Sequence, residues 1–154
     1  MGLRRRLDTI LGRTLVLIMS VMVINVLWQV FTRYVTGNPS AFTDELARYL
    51  MIWIGVLGAA YVSGRNLHVA IDILPSRAKP KTRKKLKIVV TVLIILFVFF
   101  AFIIGGSRLV YVSYILGQQS PALRIPLAVV YFILPISGLL IMYYKVADLK
   151  NLRS

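Results

Sequence analysis

The chain has 154 residues, of which 58% are hydrophobic, and 19 Lys and Arg against 5 Asp and Glu give a net charge of +14. A soluble domain of this length could not bury so much apolar surface (mean hydropathy +0.79), and the basic excess suits membrane-flanking segments rather than nucleic acid, which is not expected as a partner. The absence of Cys excludes disulfides and thiolate metal sites, and one His with five acids leaves little for hydrolysis, so no enzyme activity, metal or cofactor is expected.

Four runs carry no charged residue: Thr14–Thr32, Tyr49–Gly64, Ile88–Ser107 and Ile125–Tyr144. Three of them are about as long as a helix crossing roughly 30 Å of hydrocarbon needs, and the second is shorter. The expectation is a single all-α membrane domain, 1–154, with transmembrane helices at about 13–35, 43–64, 85–116 and 125–144. Arg4, Arg5 and Arg6 resemble a signal-peptide start. The apolar run behind them is too long for an h-region and ends in no cleavage site, so it is expected to remain as a helix.

All of the Lys and Arg residues except Arg33, Arg48, Arg108 and Arg124 fall on one side of this layout. The positive-inside rule then places both termini and the central loop in the cytoplasm.

Along the chain, the first span carries Asn25 and Gln29 one turn apart. Buried amides in lipid usually hydrogen-bond to another helix, so both are read as helix-packing residues. Gly37-Asn38-Pro39 makes an external turn. Thr43 is the expected N-cap of the second span, with Asp44 and Glu45 in its first turn, where the helix dipole favours them. Arg48 is spaced to pair with either acid. Arg33 and Arg108 lie at a similar depth. This group is either a set of caps and local pairs or an ion network facing a partner. Gly55 and Ala59 form a small-xxx-small pair suited to close helix packing.

The central loop is expected to hold a short amphipathic helix over 67–74, lying in the headgroup plane. His68 and Asp72 share one of its faces, as a local hydrogen bond or a partner contact. Lys79, Lys81, Arg83, Lys84, Lys85 and Lys87 follow and favour anionic lipid. The third span is long enough that it must tilt, or break near Gly105-Gly106. Gln118-Gln119-Ser120-Pro121 is the second external turn. Pro126 sits in the first turn of the fourth span, and Pro135 should kink it. Tyr34, Tyr49, Tyr111, Tyr114, Tyr143 and Tyr144 stand where interfacial aromatics belong.

Taken in order, Gln29-Val30-Phe31-Thr32-Arg33-Tyr34-Val35, Phe42-Thr43-Asp44-Glu45-Leu46-Ala47-Arg48-Tyr49, Trp53 and Gly58-Ala59-Ala60 resemble the small membrane subunit of TRAP transporters, the tripartite ATP-independent periplasmic transporters. Arg65–Asp72 and Ser120–Pro126, with Pro135, extend the match. Phe42 departs from it, since the family commonly has Trp there. The resemblance implies a scaffold in the bacterial inner membrane that supports a large membrane subunit. A periplasmic substrate-binding protein would deliver an organic acid, such as sialic acid or a C4-dicarboxylate, for ion-driven, usually sodium-driven, import. Arg33, Asp44, Glu45, Arg48, Arg108, His68 and Asp72 would then be structural or interfacial.

Three other classes compete. A self-sufficient four-helix exporter needs a membrane-embedded acid in the first span, which here has none after Asp8. A membrane-bound enzyme would have to draw its catalytic groups from the interfacial acids. An unrelated membrane assembly factor is the third.

Overall fold

Every backbone amide and carbonyl that enters hydrocarbon must be paired within the chain, so apolar runs of this length become helices. The computed structural model describes residues 3–37, 40–65 and 80–153. It holds four helices long and apolar enough to cross a membrane, over Arg4–Val35, Ala41–Gly64, Lys84–Ile115 and Leu127–Lys150. The amphipathic stretch 67–74, with His68 and Asp72, lies outside the described residues, as do Asn38, Pro39 and Lys79.

The first helix, α1 (Leu3–Phe31), is prolonged by a π-turn, Thr32–Thr36, and closes on Gly37 at φ 68°. Glycine takes that left-handed conformation without steric penalty. The helix begins at Leu3 rather than near Arg13. Leu7, Leu11, Leu15 and Ile18 recur at helical spacing and pack in one apolar cluster, which carries the helix through the charged segment.

In α2 (Ala41–Gly64) the N-cap is Ser40, not Thr43. The Ser40 side chain accepts the Thr43 amide at 3.4 Å, and the Thr43 hydroxyl donates to the Ser40 carbonyl at 2.9 Å. Both hydroxyls are cap formers; the chain uses the earlier one, which starts the helix at Ala41.

The third helix, α3, runs unbroken from Pro80 to Ile115: an α segment Pro80–Phe97, a π segment Val98–Gly105, and an α segment Gly106–Ile115. Gly105-Gly106 therefore marks a change of winding and not a break.

In the fourth helix, α4, Pro126 stands just before Leu127–Tyr131 with ψ 124°, outside the first turn. The helix is interrupted at Phe132 and resumes as Ile133–Arg153, beyond the expected end at Tyr144. The interruption lies one turn ahead of Pro135, which has no N–H to offer the Tyr131 carbonyl.

Helix α1 packs on α2, α2 on α4, and α4 on α3. Of the most apolar stretch of each, 39% is buried in α4 and 6% in α3, so α4 is central and α3 peripheral. One core cluster joins Leu11, Ile18, Leu57, Ile133 and Tyr144; a second joins Ala60, Val98 and Ile141. At the α3–α4 contact, a Cβ on Gly106 would stand 3.0 Å from Leu134 Cβ, and one on Gly138 would stand 2.9 Å from Phe102 Cβ. The helices approach so closely because neither glycine carries a side chain.

Candidate functional site

Polar contacts gather at the two ends of the bundle. The turn end carries the links α1–α2 and α3–α4; the terminal end carries both chain termini.

At the turn end, Glu45 is 8% exposed. Its Oε2 accepts the backbone amides of Ala122 and Leu123 at 2.8 and 2.9 Å, and its Oε1 accepts the Tyr49 hydroxyl at 2.8 Å. The connection that supplies those amides is itself tightly wound. Gly117 (φ 57°) and Arg124 (φ 53°) both take left-handed backbone. The Ser120 amide donates to the Ile125 carbonyl at 2.9 Å, and the Leu127 amide to the Gln118 carbonyl at 3.0 Å. A carboxylate on α2 thus fastens the α3–α4 connection with neutral donors alone, the arrangement that satisfies a buried anion without a cation beside it. Nearby, Asn25 donates from α1 to the Thr43 carbonyl at 2.8 Å, and Gln29 to Asp44 Oδ1 at 3.3 Å. Deeper in, Trp53 Nε1 donates to the Val130 carbonyl at 3.1 Å, beside the break in α4.

Within this chain and among the described residues, the outer charges make local contacts. Arg48 pairs with Asp44 at 2.9 Å, both largely exposed, and not with Glu45. Among the described residues, Arg33 and Arg108 are exposed and join no ion pair. Among the described residues no helix covers Gly55 or Ala59, and space is open where a Gly55 side chain would stand. Close helix contacts through glycine within the chain fall at Gly64, Gly106 and Gly138. Lys84 and Lys85 are exposed and Lys87 is half-buried, while the side chains of Lys81 and Arg83 lie outside the described residues.

Sequence reasoning passed over the terminal end. Arg4 reaches Asp148 Oδ1 at 3.0 Å and the Gly64 carbonyl at 2.6 Å. The Tyr144 hydroxyl donates to Asp8 at 2.7 Å, and Lys145, 6% exposed, lies 3.9 Å from Asp148. These contacts tie α1, α2 and α4 together. Tyr144 is fully buried, so it is a core residue rather than an interfacial anchor, and Tyr49 serves Glu45; Tyr34, Tyr111 and Tyr114 remain exposed. The available signal was the placing of Asp8 and Asp148, two of five acids, among the basic residues near the two chain ends.

Fold and composition together define a multi-pass membrane protein, and several of its polar groups bind other helices of the same chain. Residues 22–153 match the profile of the tripartite ATP-independent periplasmic transporters, DctQ component, and the chain belongs to that family of transporter subunits. It is 26% identical to the ectoine TRAP transporter small permease protein TeaB of Halomonas elongata, over 99% of this chain and 81% of that one. It is 32% identical to the sialic acid TRAP transporter small permease protein SiaQ of Vibrio cholerae, over 57% of this chain and 53% of that one. A shorter match, 34% identical over 36% of this chain, falls within 9% of the sialic acid TRAP transporter permease protein SiaT of Haemophilus influenzae.

Proposed function

We propose that this chain is the small scaffold subunit of a TRAP importer of an organic acid, such as sialic acid or a C4-dicarboxylate, in a bacterial inner membrane. The large membrane subunit carries the substrate, and a periplasmic binding protein delivers it. Both termini and the basic α2–α3 connection face the cytoplasm, as the skew of Lys and Arg favours. Lys84, Lys85 and Lys87 meet anionic headgroups there.

The observation that carries the reading is where the polar groups are engaged. Glu45, Asn25, Trp53, Arg4 and Tyr144 all bind other parts of the same chain. A carrier acting alone keeps ionisable groups facing a pathway at mid-depth. Here the uncharged runs cross that depth, and the ends are fastened, as a static support requires. Small subunits named for ectoine and for sialic acid resemble the chain to similar degrees, which supports a role independent of the substrate. The match inside a longer permease chain supports close association with a larger partner.

The test is a pull-down of the tagged chain from mild detergent after expression with its neighbouring transport genes. Recovery of a large polytopic protein in near-equal amount is expected. Recovery of the chain alone, as a homodimer that binds a ligand, would contradict the proposal.

A further inference from the structure

The charges that bound each apolar run mark where its helix enters and leaves hydrocarbon. On the terminal side these marks do not stand level. Asp8 on α1 and Tyr144 on α4 are hydrogen-bonded and so share one height along the bundle. On α4 the bounding charge is Lys145, next to that height. On α1 it is Arg13, roughly 7 Å further toward the turn end at about 1.5 Å per residue. On α3 it is Lys87. Gly138 packs against Phe102, which places Lys87 roughly 13 Å beyond Tyr144 in the opposite direction.

The turn-end limits repeat the offset. Arg33 closes the run on α1 and Arg108 the run on α3. Because Gly106 packs against Leu134, Arg108 stands roughly 20 Å short of the height that Arg33 reaches. Both edges are thus displaced in one sense and by a similar amount. The length between the edges is roughly 30 Å on α1 and on α3 alike, one hydrocarbon core. These two helices form opposite flanks, since the packing runs from α1 through α2 and α4 to α3.

An upright bundle fails at two diagonal corners. It sinks Arg13 below one surface and Arg108 below the other, and both are exposed with no ion pair among the described residues. It also lifts the exposed Val89 and Leu93 of α3 out of hydrocarbon. Snorkelling relieves each arginine in part. A single rotation of the bundle relieves both and returns Val89 and Leu93 to lipid.

We infer that the bilayer crosses this bundle obliquely, with the helices inclined by roughly 40°, at the upper end of what membrane helices adopt. The angle follows from an offset of about 20 Å spread over three helix contacts of about 8 to 10 Å each. Arg33 and Arg108 then share one surface, and Arg13 and Lys87 the other. Rolling the bundle upright draws arginine into hydrocarbon at both surfaces, so the lipid itself fixes the orientation.

The experiment places single nitroxide labels on lipid-facing positions of the full chain in phosphatidylcholine–phosphatidylglycerol vesicles. The chain has no cysteine, so Leu17→Cys, Ile24→Cys, Phe97→Cys and Ile104→Cys, all exposed, each give one label. Power saturation compares collisions with oxygen, which concentrates at mid-depth, and with a water-soluble nickel chelate. In the inclined bundle Ile24 and Phe97 lie at mid-depth, while Leu17 and Ile104 lie near opposite surfaces. In an upright bundle the two pairs exchange places. The oxygen-to-nickel collision ratio is expected to be severalfold higher at Ile24 and Phe97 than at Leu17 and Ile104. Four equal ratios, or the reverse order, would overturn the inference. Val16→Cys and Phe100→Cys, also exposed, stand in where a label at Leu17 or Phe97 prevents folding. The readout concerns this chain and lipid alone, so either result leaves the scaffold reading standing.

Discussion

The two ends of the bundle are fastened by different chemistry. At the turn end, one carboxylate on α2 binds backbone amides of the α3–α4 connection and a tyrosine hydroxyl. At the terminal end, two aspartates bind side chains: Asp8 takes Tyr144, and Asp148 takes Arg4 and Lys145. At the terminal end Asp148 has charged partners while Asp8 has a neutral hydroxyl. The turn end has four arginines for its two acids, yet among the described residues its ion pair, Arg48–Asp44, lies exposed on α2 and Glu45 has no cation partner. A buried acid there is held by peptide dipoles. The lesson is that a membrane bundle can be locked at both faces without placing charge at its centre.

Breaking the turn-end lock should have the largest effect. Glu45→Ala leaves two loop amides and the Tyr49 hydroxyl without their acceptor, and such stranded donors are expensive in a dry setting. The expected outcome is a fall of at least roughly tenfold in folded, monodisperse protein. The measurement is size-exclusion yield in mild detergent, with Glu45→Gln recovering part of it.

At the terminal end, Gly64→Ala would place a Cβ 2.8 Å from the Tyr144 ring and 3.0 Å from Asp8. Overpacking of this kind costs about 1 to 3 kcal/mol, to be read from unfolding in mixed micelles. Tyr144→Phe removes one hydrogen bond to a carboxylate and should cost about 1.5 kcal/mol in the same assay. Arg48→Ala is the control. Its pair with Asp44 is exposed on both sides, so stability should change by less than about 0.5 kcal/mol. An Arg48→Ala loss equal to that of Gly64→Ala would show that the exposed pair, and not the buried contacts, holds the bundle.

The four spans were legible because each is a charge-free run of helical length, and a helix is the form such a run takes in lipid. Asn25 and Gln29 both bond to α2 from one face of α1, as their one-turn spacing allows, with Asn25 buried and Gln29 half-exposed. The Glu45 lock was not legible. Its partners are amides 77 and 78 residues away, and a backbone amide leaves no mark in a side-chain pattern. Ser40 and Thr43 are both competent caps, so composition alone could not choose between them. The terminal cluster was hidden differently. Arg4 counted toward an orientation signal and Tyr144 toward an aromatic belt, and neither generic role pointed to the Asp148 and Asp8 that they bind. The extension of α1 to Leu3 was readable in hindsight from Leu7 and Leu11, had the apolar face been followed past the charges.

The measurement that bears most directly on the scaffold claim is an interspin distance in the assembled transporter. The chain has no cysteine, so Val35→Cys on α1 and Tyr114→Cys on α3, both exposed, give one labelled pair with no background from this subunit, once partner cysteines are replaced. A static support predicts the same distance, within about 1 Å, with and without substrate, coupling ion and binding protein. A shift of several ångströms on adding them would show that these helices move with transport, and would contradict the account.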